Sequence, residues 1–308
     1  MKICFIGLGS IGQRHLRNLA VVLERRGLPY QIDAVRSSDK PLDESVSRYI
    51  CKSFYSIGEA DDDYDVTFIT NPTSMHYDAA KQMINKTRHM FVEKPVFDSC
   101  DYDLSIFDKD NIYYVACPLR YTKVIRTLKE WQESKKVFAA RVICSTYLPH
   151  WRPGVDYRTT YSAQKALGGG VSIDLIHEID YISYLFGLPL NVHSIKGKYS
   201  NLEIDSDDLS LYMMKYADKL VSVHLDYFGR ASKREIEIFT DEDTIAGDLI
   251  NQKITFLKEG RTLDFAEDRD DYQIREIEHF IDIVLNGSKN DNDINYANQI
   301  LRIAKDGL

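Results

Sequence analysis

Within its first twelve residues the chain runs from an apolar stretch, Lys2-Ile3-Cys4-Phe5-Ile6, straight into Gly7-Leu8-Gly9-Ser10-Ile11-Gly12. Residues 13–26 then place Leu16, Leu19, Ala20 and Leu23 on one helical face. This strand–turn–helix order constrains the fold more than any other feature. The first glycine allows a tight turn, the second lets backbone approach a pyrophosphate, and the third lets the helix pack on the strand. The helix N-terminus offers N–H groups and a positive dipole end to phosphates. Gly7, Gly9, Ser10, Ile11 and Gly12 are therefore expected dinucleotide contacts, with a purely structural tight turn as the alternative.

The pattern continues. Apolar runs at 31–35, 65–70, 90–92 and 112–116 read as strands. Segments 42–49, 74–85 and 101–107 between them read as helices. Such alternation implies a parallel sheet covered on both faces, with its binding crevice at the carboxyl ends of the strands. The loops there are 7–12, 36–38, 71–74, 93–95 and 117–120. Beyond residue 119 the pattern changes to a helix at 121–134, a long strand at 138–147 and an aromatic-rich loop to 167. Gly168-Gly169-Gly170 then opens a single amphipathic helix, 171–186, stopped by Gly187. Alternating residues from 191 to about 265 imply a mostly antiparallel sheet, and helices at 272–285 and 294–305 close the chain. The expected fold is α/β: a Rossmann dinucleotide-binding domain over residues 1–118, and an α+β domain with an open-faced sheet over 119–308.

Bulk properties exclude several function classes. A net charge of -8 opposes a nucleic-acid partner, because phosphate binding needs a basic surface. No apolar run is long enough to span a membrane. With a strand expected at the N-terminus, no signal peptide is expected. The five cysteines are scattered, without a C-x-x-C pair or zinc-ligand spacing, as expected of reduced thiols in a cytoplasmic protein with no metal site.

Several residues carry candidate chemistry. An NAD-specific fold places an acid ~20 residues beyond the glycines to grip the ribose. Asp33 has that spacing but lies inside the second strand, whose tip carries Arg36, Ser37 and Ser38. A guanidinium and hydroxyls suit a 2′-phosphate, which favours NADP. The alternative is a solvated Arg36, with Asp33 or Asp39 serving NAD. Asn71-Pro72-Thr73 and His76 follow the next strand, either as cofactor contacts or as a turn in which Thr73 and Ser74 cap a helix. Glu93-Lys94-Pro95 follows the strand after that. A lysine there can hydrogen-bond a substrate hydroxyl and help transfer its proton, although such lysines are often plain surface charges. Asp174 and His177 lie three apart on one helical face, where a carboxylate can orient a proton-transferring histidine. Acids for the helix dipole and a satisfied histidine are the bland alternative. Asp180 reads as structural. The loop holding Trp151, Asp156, Tyr157, Arg158 and Tyr161 mixes aromatic and charged groups suited to a sugar-like ligand, or is simply solvated.

Taken in order, G-L-G-S-I-G at 7–12, N-P-T-S-M-H at 71–76, E-K-P at 93–95 and G-G-G-V-S-I-D-L-I-H-E-I-D at 168–180 resemble the glucose–fructose oxidoreductase/inositol dehydrogenase (Gfo/Idh/MocA) family. Leu119-Arg120-Tyr121 looks like that family's arginine-bearing entry to the second domain. The resemblance implies hydride transfer at a sugar, nucleotide-sugar or cyclitol-like carbon. It implies Lys94, Asp174 and His177 as the acting groups, Glu93 and Lys94 beside the cofactor, and Arg120 and Tyr121 beside the substrate. It also implies a homodimer or homotetramer built through the exposed sheet face. Many family members space the aspartate and histidine four apart. The three-residue form here resembles a subgroup associated with surface-polysaccharide sugars. Cys117-Pro118 stands where an asparagine-containing segment is common. Two rivals are a lyase or epimerase using the nicotinamide transiently, and a non-catalytic nucleotide sensor.

Overall fold

The computed structural model describes residues 1–306. The N-terminal unit is built on strands β1 (Lys2–Ile6), β2 (Gln31–Val35), β3 (Ile50–Phe54), β4 (Tyr64–Ile69), β5 (Thr87–Val92) and β6 (Tyr113–Val115). All pair in parallel, in the order β3-β2-β1-β4-β5-β6. The order reverses at β1, so the crevice opens at the carboxyl ends of β1 and β4. Helices α1 (Ser10–Arg25), α2 (Glu44–Ser47) and α3 (His76–Met83) make the crossovers. β3 was not expected from sequence. It is an edge strand with an exposed centre, Cys51-Lys52-Ser53, and lacks the apolar run of a buried strand. The helix expected at 101–107 reduces to a single turn at Leu104–Ile106.

The second unit starts with α4 (Lys123–Gln132) and β7 (Val137–Tyr147), then α5 (Val171–Asp174) and α6 (Ile176–Phe186). Strands β8 (Asn191–Gly197), β9 (Leu209–Lys215), β10 (Leu220–Asp226), β11 (Phe228–Thr240), β12 (Thr244–Asp248), β13 (Lys253–Phe256) and β14 (Arg261–Asp264) follow. With β7 they form one sheet, β14-β13-β12-β11-β7-β10-β9-β8, antiparallel except for the β7–β10 pair. One face buries Val142, Tyr212, Val221, Val223 and Ile236. The other carries two cross-strand rows, Ile195–Leu211–His224–Ile143–Glu235 and His193–Met213–Ser222–Arg141–Glu237. Ile195 is 63% exposed and Met213 47%.

The two compact units are residues 1–118 with 269–299, and residues 119–268 with the chain from Ile300 on. The pattern of the sequence places 269–299 in the expected second domain, 119–308. The structure returns this segment to the first unit, for a packing reason. Helix α7 (Arg269–Asn286) drives Phe280 into a ring cluster with Phe68, Phe91 and Tyr114, at centroid distances of 5.8, 5.3 and 5.7 Å. Arg14–Asp270 and Arg26–Asp282 ion pairs flank α1 against it, at 3.0 and 2.7 Å. The last helix, α8 (Ile294–Asp306), closes the described chain. Among the described residues no helix is long and apolar enough to cross a membrane.

Candidate active site

In the first unit the glycine loop is held by close contacts that admit no side chain. Gly7 has φ +90°, and a Cβ there would lie 2.8 Å from the Asn71 Cα. A Cβ on Gly12 would lie 2.4 Å from the Gly7 carbonyl oxygen and 2.6 Å from Thr70 Oγ1. Thr70 in turn donates its hydroxyl to the Gly7 carbonyl at 2.6 Å. Gly9 is different: nothing stands within 4 Å of the Cβ position, so this glycine leaves open space beside the turn. It is the N-cap of α1, with no side chain capping the helix and no acid in the first turn. Free N–H groups, open space and an uncompensated dipole fit a pyrophosphate.

At the tip of β2, Arg36 is partly exposed and donates its guanidinium to the Lys40 carbonyl; Ser37 is exposed and Ser38 partly so. Asp33 is fully buried in the sheet, accepting from Tyr64 at 3.1 Å and from Gln31 at 3.3 Å. A carboxylate enclosed in this way is unavailable to a ribose.

The Asn71-Pro72-Thr73 turn and the E-K-P turn are bound together through His76. This buried ring contacts the Asn71 carbonyl at 2.9 Å through Nε2, and the Pro95 and Val96 carbonyls at 3.1 and 3.2 Å through Nδ1. Burial lowers its pKa from the usual histidine value. His76 is thus a brace between two loops. The expected caps from Thr73 and Ser74 do not form: Thr73–Met75 is a 3-10 turn, and neither it nor α3 has a side-chain cap.

Glu93 also differs from expectation. Its carboxylate turns inward to the His15 ring of α1 at 2.5 Å and accepts its neighbour's backbone N–H, that of Lys94, at 3.0 Å. Burial opposes its ionisation, but the His15 bond and nearby positive charge outweigh that and hold it below the usual glutamate value. A buried carboxylate needs partners, and these two enclose it. Lys94, next in the chain, is partly exposed at the end of β5, joined to Pro95 by a cis peptide bond.

In the second unit the expected single helix breaks. Leu175 has φ -98° and ψ 29°, so α5 ends at Asp174 and α6 begins at Ile176. Asp174 and His177 therefore belong to two helices, and the regular three-residue spacing argument does not describe them. His177 is partly exposed on α6, whereas Asp174 is buried. The Asp174 carboxylate accepts the hydroxyls of Tyr161 and Tyr227. The rest of the α6 N-terminal turn is anchored by ion pairs. Asp180 takes the Arg120 guanidinium at 2.9 and 2.6 Å, and Glu178 pairs with Arg234 at 2.7 Å. Burial raises the Glu178 pKa, against the pull of Arg234.

Arg120 is only 2% exposed, with Tyr184 5.3 Å beneath its guanidinium. Its expected role beside a substrate is met in the structure by an internal carboxylate, because a buried guanidinium requires one. Asp156 is likewise engaged by Arg158 at 2.8 Å, and Arg158 by Glu203 at 2.7 Å. Tyr157 accepts the Glu203 backbone N–H at 3.1 Å. Trp151 donates to Thr146 at 2.7 Å and lies edge-on to Tyr227 at 5.3 Å, while Tyr121 is partly exposed beside Arg120 in the chain. Tyr227 and His15 carry no signal in the sequence: an aromatic just past a strand and a histidine on the buried face of an amphipathic helix look like core. Among the described residues no three His, Cys, Asp or Glu side chains cluster as metal ligands.

Comparison with known proteins gives these features a family context. Residues 1–103 match the model described as "Oxidoreductase family, NAD-binding Rossmann fold", and residues 125–246 match the "GFO/IDH/MocA C-terminal domain". The myo-inositol 2-dehydrogenase of Thermotoga maritima is 26% identical over 194 residues, which covers 61% of this chain and 55% of the relative, so the match spans about half of that protein. The scyllo-inositol 2-dehydrogenase (NAD(+)) of Bacillus subtilis is 24% identical over 311 residues, 93% of this chain and 87% of the relative. Among solved structures, levoglucosan dehydrogenase in complex with NADH superposes with a TM-score of 0.86 at 18% identity, covering 99% of this chain and 95% of the other. The UDP-N-acetylglucosamine 3-dehydrogenase of Acidithiobacillus ferrooxidans gives 0.78 at 18% identity, with coverages of 99% and 95%. At such identity the superpositions establish the fold.

Proposed function

The chain belongs to the Gfo/Idh/MocA oxidoreductase family, and from that premise we propose that it is an NADP-dependent oxidoreductase acting at a hydroxyl or carbonyl carbon of a sugar, nucleotide-sugar or cyclitol-like substrate. The observation that carries this reading is the continuity of the first unit's loop layer. Gly7 packs on Asn71, Asn71 is tied to His76, and His76 is tied to the Pro95 and Val96 carbonyls. Lys94 is thereby mounted on the same rim as the nucleotide loop.

When bound, the nicotinamide supplies or accepts the hydride. Lys94 hydrogen-bonds the reacting oxygen and, with His177, moves its proton. Asp174 accepts from a neighbouring substrate hydroxyl. Arg36, Ser37 and Ser38 hold a 2′-phosphate, and the burial of Asp33 supports this over an NAD reading in which Asp33 grips the ribose. Titration of nucleotide-stripped protein with NADPH and NADH, followed by protein fluorescence, tests the cofactor. Preference for NADPH is expected, and binding of neither ends the assignment. Turnover of myo-inositol, levoglucosan and UDP-N-acetylglucosamine, followed at 340 nm, tests the substrate class.

The open sheet face is proposed to meet a second copy of this chain. Its rows mix Arg141 with Glu237, and Ile143 with Glu235, beside apolar Ile195 and Met213. A two-fold axis turns such a mixed face into its own complement. Light scattering that gives a monomer at micromolar concentration removes this part.

A further inference from the structure

Asp174 ends α5 at the break before α6; its backbone N–H bonds the Gly170 carbonyl at 3.0 Å, which leaves the direction of its side chain to other contacts. Two phenols grip the carboxylate. Oδ1 accepts from Tyr161 and Oδ2 from Tyr227. Tyr227 is fully buried just after β10, with Trp151 against its ring. Tyr161 is 42% exposed and belongs to the aromatic loop. Burial, and after it the charge of Asp174, raises both phenol pKa values. Both shifts favour the protonated phenol, the form that donates. Among the other groups acting on the pair are Arg152, on Tyr161, and Asp207, on Tyr227.

A carboxylate offers about four lone-pair sites. A phenol on each oxygen fixes the plane of the carboxylate, and with it the directions of the lone pairs. We propose that Tyr161 and Tyr227 are positioning residues that hold the Asp174 carboxylate in one orientation as a substrate acceptor and fasten the loop around residues 157–168 to it. This rests on the function proposed above, in which Asp174 touches substrate. The consequence is kinetic. An acceptor free to rotate still binds a hydroxyl but presents it in several geometries, so turnover suffers more than affinity.

The test uses Tyr161→Phe and Tyr227→Phe, each of which removes one hydroxyl. Tyr161 is partly exposed, so its variant avoids the packing risk carried by Tyr227. Tyrosine is labelled with 13C at Cζ, and the two signals are assigned from the Phe variants. At neutral pH Asp174→Asn is expected to move both signals and leave the other tyrosines in place. Hydrogen exchange over residues 157–168 is expected to speed up in Tyr161→Phe. With whichever of the three probe substrates turns over, kcat is expected to fall about tenfold while KM stays within about threefold. Unmoved signals, or unchanged exchange and kcat, overturn the proposal. If no probe turns over in the wild type, the function reading fails, while the signals and the exchange still decide the clamp.

Discussion

Lys94 and Asp174 are mounted in opposite ways. Lys94 stands two residues past the end of a buried parallel strand, and its loop is gripped through main-chain carbonyls by His76. Asp174 stands at a helix break and is gripped through its own carboxylate by tyrosines 13 residues upstream and 53 downstream. Its neighbours follow suit, Asp180 with Arg120 and Glu178 with Arg234, across 60 and 56 residues. A backbone mount tolerates a change of side chain at the reactive position. A side-chain mount fails when any partner is lost.

The largest expected effect sharpens this contrast. Lys94→Met should lower kcat by about 10²–10⁴-fold, the span of a lost general acid–base group, while NADPH affinity and the melting temperature stay near wild type. Equal turnover would remove Lys94 from the chemistry. On the other side, Arg120→Met leaves Asp180 without its buried cation and should cost about 3–5 kcal/mol by urea denaturation. A loss under 1 kcal/mol would show that the second unit does not depend on side-chain pairs in this way.

Gly12→Ala tests the backbone mount directly. The added methyl meets the Gly7 carbonyl and Thr70, and displacing them should cost about 1–3 kcal/mol and weaken both nucleotides alike. Arg36→Ala should instead weaken NADPH about tenfold, or 1.4 kcal/mol, and spare NADH. Equal loss of both would return Arg36 to solvent.

The smallest effect concerns the His76 brace. Burial lowers its pKa from 6.5, so the unfolded chain binds a proton before the folded one does. Stability is then fully present above that value and declines as pH falls through it toward the folded pKa. The melting temperature should drop on acidification below about pH 6.5, and His76→Gln should flatten that slope. An unchanged slope would assign the acid sensitivity to other groups.

Much of the first unit was legible because its signals are local. Strand, glycine turn and helix follow within twenty residues, and apolar runs mark the buried strands β1, β2, β4 and β5. Strand β3 escaped because an edge strand needs no apolar run. Lys94 was legible as a strand-end residue, but the inward turn of Glu93 was not, because His15 lies 78 residues away. The helix break at Leu175 left no mark in the periodicity, since the same residues form an apolar stripe whether the helix is whole or bent. Helix α7 shows the same limit: periodicity identifies its buried face but not the sheet that receives it.

The sequence by itself determined the glycine turn and the alternation that makes a parallel sheet, because these rest on glycine sterics and short-range periodicity, while the family was legible as a resemblance of ordered motifs. Only the tertiary structure decided which carboxylates are enclosed and by what. Asp33, Glu93, Asp174 and Asp180 look alike as letters. Each ends in a different environment because burying a carboxylate demands donors, and those donors come from wherever folding brings the chain together.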